Sequence, residues 1–409
     1  MMHERGTVNV KQQFPFSKDI SLAFKNDPPG QWLSVLPEGC IRLNSGYPAP
    51  PLVPSKELKS AVVRLLDEEG DLPLHYIGSP RIPKLKEWIQ KRLASRDVHV
   101  SEDELLVTAG ACQAIDLIAR VLLDADTVVA IESPTYMEAL EVFRNYTEHY
   151  LGVPVDANGL QTEIFEEMLR DRKEKGLPLP RILYTIPTSQ NPTGTTLSLE
   201  RREHLVALAE QYDFLILEDD AYGELGFTDK PRLLKAMDRY NRVLHIGSLS
   251  KVVAPGMRVG WVAGAEELIT TLSWFKKDLN HPFAQATMAS FIESTDFDER
   301  LNHLSATYHS KCKAMLSALE QHFPDSVSWY APEGGYFVWV EVPGIDTAEL
   351  LPKALAAGVA FVPGKYFFLN QEEGKHYLRL SFSYASEEEI ERGVQLLGEV
   401  LSKSIPESN

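Results

Sequence analysis

Cysteine is scarce in this chain of 409 residues: Cys40, Cys112 and Cys312 are the only three, far apart and odd in number. No disulfide framework or metal-ligand spacing can be read from them, which suits a reducing compartment. Long apolar runs are missing too. No stretch approaches the roughly 20 apolar residues that span a bilayer, and the segment from Met1 to Phe16 has no apolar core of a secretory signal. Positive charge is outnumbered, with 41 Lys and Arg against 58 Asp and Glu, for a formal net charge of −17. That balance opposes non-specific attraction to nucleic acid and to anionic membranes, while leaving room for a local basic pocket that takes an acidic ligand. Fixed-period repeats, low-complexity tracts and Gly/Ser linkers are absent as well. The expectation is a soluble, cytoplasmic protein with no nucleic-acid or membrane partner.

What is present is an ordinary globular mix, 44% apolar and 24% charged. The length allows two domains or one large α/β unit. Residues 1–54 are rich in proline and turn residues (Pro28, Pro29, Gly30, Pro37, Pro48, Pro50, Pro51, Pro54) and read as an extended arm. A first helix is expected after Ser55 as N-cap, with Leu58, Ala61, Val62, Leu65 and Leu66 on one stripe and a stop at Gly70. From about residue 105, short runs rich in β-branched residues (105–108, 127–131, 181–186, 214–217, 243–246, 258–262) alternate with helix-like stretches such as 113–123 and 199–211. That rhythm argues for crossover units and a mostly parallel sheet. Beyond about 300 come a long helix (300–322), separated strands (335–342, 377–382) and a closing helix capped by Ser386 with Glu389 three residues on. The expected division is an arm, 1–54, a large domain, 55–297, and a small α+β domain, 298–409.

Ligands of open parallel sheets sit at the carboxyl ends of the strands. After 214–217 come Glu218, Asp219, Asp220, Ala221 and Tyr222; after 243–246 come Gly247, Ser248, Leu249, Ser250 and Lys251. After 181–186 come Pro187 and then Asn191-Pro192-Thr193-Gly194. Taken singly, Asp219 could be a helix cap, 191–194 a turn and 248–251 a solvated loop. Two further features sharpen the reading. Thr108-Ala109-Gly110-Ala111-Cys112 links strand to helix through small residues, which makes a ready anion site at the helix start. Arg258 lies seven residues past Lys251, and an arginine and a serine beside a helix N-terminus suit a phosphate. A desolvated lysine nearby could act as an amine nucleophile. The residues alone lead to a phosphorylated carbonyl ligand near a lysine.

This ordered set resembles the fold-type I pyridoxal-phosphate enzymes: Asn191-Pro192-Thr193-Gly194, Asp219 with Tyr222, and Ser248-Leu249-Ser250-Lys251 with Arg258. Tyr377-Leu378-Arg379-Leu380-Ser381 resembles the arginine strand of class I aminotransferases. Three further segments resemble one subgroup: Asn44-Ser45-Gly46-Tyr47-Pro48-Ala49-Pro50, Glu333-Gly334-Gly335-Tyr336-Phe337-Val338-Trp339 and Phe361-Val362-Pro363-Gly364. That subgroup holds the 2-aminoadipate, kynurenine and broad-specificity aminotransferases and the aminotransferase-like halves of certain bacterial regulators.

The resemblance implies an α/β fold with a mostly parallel central sheet plus a smaller α+β domain, pyridoxal 5′-phosphate as cofactor, no metal, and a homodimer with shared active sites. Lys251 would carry the covalent link to the cofactor and shuttle a proton at the substrate Cα, and Asp219 would pair with the pyridine nitrogen. Tyr222 and Asn191 would bond the ring hydroxylate, and Tyr136 would stack on the ring. Arg258, Ser248 and the backbone of Ala111 and Cys112 would hold the phosphate, reached also by Tyr76 of a neighbouring subunit. Arg379 would take the substrate carboxylate as a bidentate partner, beside Gly46 and Asn191. Ala111 and Cys112 stand where the pattern usually has a hydroxyl and a glutamine, so side-chain phosphate contacts are lost. Tyr47, Arg81, Tyr336 and Phe367 are candidates to line the side-chain pocket. The leading expectation is an aminotransferase acting on an amino acid and a 2-oxo acid. A lyase or oxidative enzyme on the same scaffold comes next, and a ligand sensor last.

Overall fold

In the computed structural model of the chain, residues 15–404 are described, apart from 27, 31, 33, 34, 77, 229 and 278–280. The proline-rich arm contributes one short strand, β1 (Ile41–Arg42), and then α1 (Ser55–Glu69) and α2 (Ile82–Ala94) follow. Helix α1 ends at Gly70 as expected, but Ser55 is not its cap. Pro54 occupies that position with φ −78° and turns the chain into the helix, so Ser55 is already helical.

Eight strands form the main sheet, in the order β2 (Leu105–Thr108), β9 (Gly260–Ala263), β8 (Val243–Ser248), β7 (Leu215–Asp219), β6 (Ile182–Thr185), β3 (Val129–Ser133), β4 (Tyr150–Asp156) and β5 (Gly159–Leu160). Strands β8, β7, β6, β3 and β4 run parallel, while β9 is antiparallel to both its neighbours and β5 to β4. The β4–β5 hairpin was not expected, because Gly152 and Pro154 interrupt an apolar pattern that would otherwise read as strand. Arg258 does not open β9. It sits in the left-handed region at φ 53°, its guanidinium bonded back to the Ala109 and Pro255 carbonyls at 2.6 and 3.3 Å.

Period-two alternation sorts the buried strand residues onto two faces. Val129, Ile131, Ile182, Tyr184, Leu217 and Leu244 join a core with α3 (Ala111–Leu122), α8 (Glu266–Phe275) and α9 (Pro282–Glu293). Ala130, Leu183, Ile216 and Val243 join a second core with α5 (Thr162–Glu174), α6 (Leu199–Tyr212) and α7 (Leu234–Met237). The short α4 (Met137–Phe143) follows β3.

The remainder of the chain builds a four-stranded antiparallel sheet in the order β10 (Ser328–Trp329), β11 (Phe337–Glu341), β14 (Tyr377–Ser381), β13 (Val362–Pro363). Helices α10 (Phe297–His322) and α12 (Glu387–Ser402) pack together, and α11 (Thr347–Ala357) lies against α12. The capping box of Ser386 and Glu389 that opens α12 forms as expected. Strand β12 (Val359–Ala360) pairs in parallel with β1, which fastens the arm to this region.

One buried cation pins a site loop to the sheet. Arg202 on α6 is fully buried and donates to the carbonyls of Leu197, Pro187 and Arg232 and to Thr188 Oγ1. Pro187, Thr188 and Leu197 bracket the turn that carries Asn191. Arg202→Ala leaves Leu197 O, Arg232 O and Thr188 Oγ1 without this donor, whereas Pro187 O keeps Leu197 N at 2.8 Å, and we expect it to lower stability by about 2–4 kcal/mol. Urea denaturation checks this, and an unchanged midpoint with an unchanged slope would contradict it.

Candidate active site

Because β6, β7 and β8 are parallel, their polar ends arrive at one edge. Pleating then separates the three consecutive acids Glu218, Asp219 and Asp220 at the end of β7 and just beyond it. Glu218 turns one way and accepts from Leu234 N (2.7 Å), Lys235 N (3.1 Å) and His245 Nδ1 (3.2 Å). Burial works against its charge, but His245 and Arg202 hold its carboxyl below the ordinary value. Asp220 pairs with Arg96. Asp219 turns the other way and accepts from Tyr184 OH (2.8 Å) and Ala221 N (3.3 Å). Burial raises Asp219 to about 6 against the pull of the Tyr184 phenol.

Lys251 follows β8 in the same interior. Its Nζ donates to Gly46 O at 2.9 Å and lies over the rings of Tyr222 (5.7 Å) and Tyr336 (5.9 Å). Burial lowers its pKa to about 8, with the Glu138 carboxylate pulling the other way. Beneath it, the Tyr336 hydroxyl donates to Lys251 O at 2.8 Å and so fixes the backbone of the lysine. Tyr222 packs edge-on against Tyr336 and Phe337.

Arg379, on the central strand β14, reaches the same space from the second sheet. Nη1 donates to Asn191 Oδ1 at 2.8 Å and Nη2 to Asn44 O at 3.1 Å, while Nε is buried without a partner. The guanidinium lies over Phe337 (4.1 Å) and Phe367 (5.1 Å), and burial lowers its pKa to about 10. A buried cation with an unsatisfied donor calls for an anion.

The third part is a cradle. Gly110 caps α3 at φ 96°, with no side chain bonding the first turn. A Cβ there would stand 2.5 Å from Arg258 Nη2, so only glycine lets the guanidinium close on the helix start. Ser248 Oγ and Ser250 Oγ are 2.9 Å apart at the end of β8. A helix N-terminus, an arginine and hydroxyls fit a phosphate; the buried amine of Lys251 fits an aldehyde; the buried carboxylate of Asp219 fits a protonated ring nitrogen. The residues present therefore suit pyridoxal phosphate.

Most of the expected residues gather here: Lys251, Asp219, Tyr222, Asn191, Arg379, Gly46, Ala111, Cys112, Ser248, Arg258 and Tyr136, the last 3.9 Å from Cys112 Sγ through its hydroxyl. Tyr76 stands apart and is 87% exposed. Of the four pocket-lining candidates, Tyr336 and Phe367 are fully buried beneath Lys251 and Arg379, so they support the site from behind. Arg81 is occupied by Glu68, Glu69 and Glu293, and Tyr47 is half exposed.

Sequence reasoning passed over three residues. Glu132, fully buried on β3, accepts from Thr185 Oγ1 (2.5 Å), Ile186 N (3.1 Å) and Gln190 Nε2 (3.0 Å), and burial raises it to about 7. Gln190 in turn holds Thr193, which locks the turn around Asn191. Tyr184 reads as a core aromatic within an apolar strand. Glu138 reads as an exposed helical acid, yet its carboxylate accepts from Cys112 Sγ at 3.2 Å and acts on Lys251, Tyr136 and Arg379. A lone acid in an apolar strand was the one available signal, and it applied to Glu132.

A crossover sheet with a lysine, an aspartate and a phosphate cradle at its carboxyl edge is the architecture of a pyridoxal-phosphate-dependent transferase. Residues 38–397 match the aminotransferase class I and II family, and the chain belongs to that family. It is 36% identical to aromatic-amino-acid aminotransferase 1 of Thermococcus litoralis, over 89% of this chain and 88% of that one. It is 35% identical to the 2-aminoadipate transaminase of Thermus thermophilus, over 89% and 90%. The crystal structure of a multiple substrate aminotransferase from Thermococcus profundus superposes with a TM-score of 0.86 at 36% identity, covering 95% and 97% of the two chains. The protein is a pyridoxal-phosphate-dependent aminotransferase that interconverts an amino acid and a 2-oxo acid. Among the described residues no helix is long and apolar enough to cross a membrane.

The electrostatics of Lys251 make a pH prediction. Below about 8 the amine carries a proton and its lone pair is blocked; above, it is free. The rate at which cofactor-free protein captures pyridoxal phosphate should rise through that pH. Removing the Glu138 charge takes away a partner of the ammonium, so Glu138→Gln should move the midpoint downward. Stopped-flow absorbance across pH measures both, and a midpoint unmoved by the substitution would show that Glu138 lies outside the field of Lys251.

Proposed function

We propose that Lys251, Asp219 and Arg379 divide the transamination among them: an amine that holds and moves a proton, a carboxylate that fixes the ring, and a guanidinium that anchors the substrate. The observation that carries this is their convergence from both sheets, with both Asp219 and Arg379 close enough to act electrostatically on Lys251. Pyridoxal phosphate, when bound, supplies an aldehyde that takes up the amino group and a ring that accepts the electrons of the Cα–H bond. Lys251 Nζ, which burial brings down to about 8, would in its unprotonated form take the proton from the substrate Cα. Asp219 holds the proton on the ring nitrogen. Tyr222 and Asn191 orient the ring hydroxylate, and Tyr136 covers the ring face. Arg258, Ser248 and the Ala111 and Cys112 amides hold the phosphate. Arg379, with Gly46 and Asn191 beside it, grips the α-carboxylate. The division into an arm, 1–54, a large domain, 55–297, and a small domain, 298–409, belongs to the same reading, as does a cytoplasmic location.

The substrate class best supported is an amino acid with a bulky neutral side chain, aromatic ones included. Relatives are named for aromatic amino acids and for multiple substrates. The Glu138 carboxylate on Cys112 would repel an acidic side chain brought near it. The test is a half-reaction: protein loaded with cofactor is mixed with single amino acids, and loss of visible absorbance is followed together with 2-oxo acid release. Phenylalanine and tyrosine should react faster than glutamate and 2-aminoadipate; the reverse order would discard this substrate class. Arg379→Ala should raise the apparent KM by about 100-fold, on the scale of a lost charge-assisted pair. An unchanged KM would remove its carboxylate role.

Shared active sites in a homodimer complete the proposal. Its support is the exposure of Leu72, Leu74, Tyr76 and Trp274, apolar side chains that a partner would cover. Complementation tests it. Lys251→Ala and Tyr76→Ala are each expected to be inactive, yet co-refolded they should regain about a quarter of wild-type activity, because half the dimers are hybrids with one intact site. No recovery would place Tyr76 outside its partner's site.

A further inference from the structure

Asp219 needs help to remain a carboxylate in an enclosed interior. Its surroundings hold Glu132 on β3, Asp220 just past β7, His245 on β8, Cys112 on α3, and Tyr222 and Lys251 beyond the strand ends. Of these, Asp220 opposes the charge and His245 favours it. Direct hydrogen bonds come from elsewhere. Ala221 N reaches Oδ1 at a long 3.3 Å, and Tyr184 OH reaches Oδ2 at 2.8 Å.

Tyr184 is built to hold that hydroxyl still. It lies on β6, opposite Leu217 of the neighbouring β7, and is fully buried. Its ring stands edge-on to Phe143 at 5.6 Å and 67°, so the last residue of α4 sets its tilt. Burial and the adjacent Asp219 charge raise its own pKa well above the ordinary phenol value, which keeps it a proton donor throughout the working range.

We propose that Tyr184 is a positioning residue of the transamination: its hydroxyl holds Asp219 Oδ2, keeps the carboxylate ionised, and leaves Oδ1 as the oxygen offered to the protonated ring nitrogen of the cofactor. This rests on the role of Asp219 set out above. Tyr184 acts through Asp219 alone, so its effect is confined to ligands that carry the ring nitrogen.

Tyr184→Phe keeps the ring and its packing on Phe143 and removes one oxygen. Cofactor-free wild type and variant are titrated with pyridoxal phosphate and with its 1-deaza analogue, in which carbon replaces the ring nitrogen. The variant should bind pyridoxal phosphate about tenfold more weakly, the scale of one hydrogen bond to a buried charge, and the analogue as tightly as wild type does. Loss of the donor makes Asp219 easier to protonate, so the acid limb of pyridoxal phosphate binding should move to higher pH. Equal weakening for both ligands would make Tyr184 merely structural, and unchanged binding of both would also overturn the proposal. The pH limb is read on the folded fraction, so it stays informative if the variant is less stable. Asp219→Asn is titrated in parallel, alone and combined with Tyr184→Phe. If Asp219→Asn weakens pyridoxal phosphate binding and the second substitution adds nothing, the coupling is confirmed. Additive losses would sink the Tyr184 proposal, whereas wild-type binding by Asp219→Asn would sink the reading of Asp219 itself.

Discussion

Ionisable groups enclosed in a protein interior are the constraint around which this molecule is arranged. Asp219 and Arg379 lie away from water and Lys251 is partly screened from it, and each has a pKa moved by burial toward its neutral form. Left alone, such groups would discharge or unfold the site. The structure tempers burial without abolishing it. A phenol steadies Asp219, a backbone carbonyl and two aromatic rings receive Lys251, and an amide and a carbonyl take two of the three donor positions of Arg379. On the proposed reading, the position left open on Arg379 is where a substrate carboxylate would dock.

The same constraint explains the second layer. Two acids flank Asp219 in sequence, and pleating sends them to the opposite side, where His245, two amides and Arg96 meet them. Those partners offset their charge, which lessens but does not remove the opposition of Asp220 to ionisation of Asp219. Tyr336 plays the matching part for Lys251. Its ring helps line the floor and its hydroxyl holds the lysine backbone, so a buried aromatic from the second sheet positions an amine on the first. The site is thus assembled across both sheets, and Phe337 and Phe367 carry the guanidinium that comes from the second one.

Loop geometry supplies the remainder. The turn bearing Asn191 is held from one side by Glu132 through Gln190 and from the other by Arg202. Gly194, at φ 73°, lies where a Cβ would strike Phe337 O at 2.6 Å, so the turn can press against β11 and bring Asn191 to Arg379. At the far side of the site, Gly110 performs the same service for Arg258.

Much of this was legible in the chain. Short apolar runs rich in β-branched residues, alternating with amphipathic stretches, announced crossover units, and the polar residues after each run marked the strand ends where a site forms, because these patterns are local along the chain. The order of lysine, aspartate, asparagine and arginine carried the family resemblance, and with it the cofactor. What stayed hidden was non-local. Ser55 and Arg258 were misplaced by a residue or two, since Pro54 and a bond to Ala109 decide the backbone there. Glu138, Glu132 and Tyr184 look like an exposed acid, a stray acid and a core aromatic. Their parts depend on which carboxylate, thiol or turn lies within 3.2 Å once strands from distant positions are side by side. Local periodicity and motif order were enough to determine most of the elements, though not the β4–β5 hairpin, and the class of chemistry. Only tertiary packing could decide which groups are enclosed together, because burial and hydrogen bonding across strands are properties of neighbours that the chain brings from far along its length.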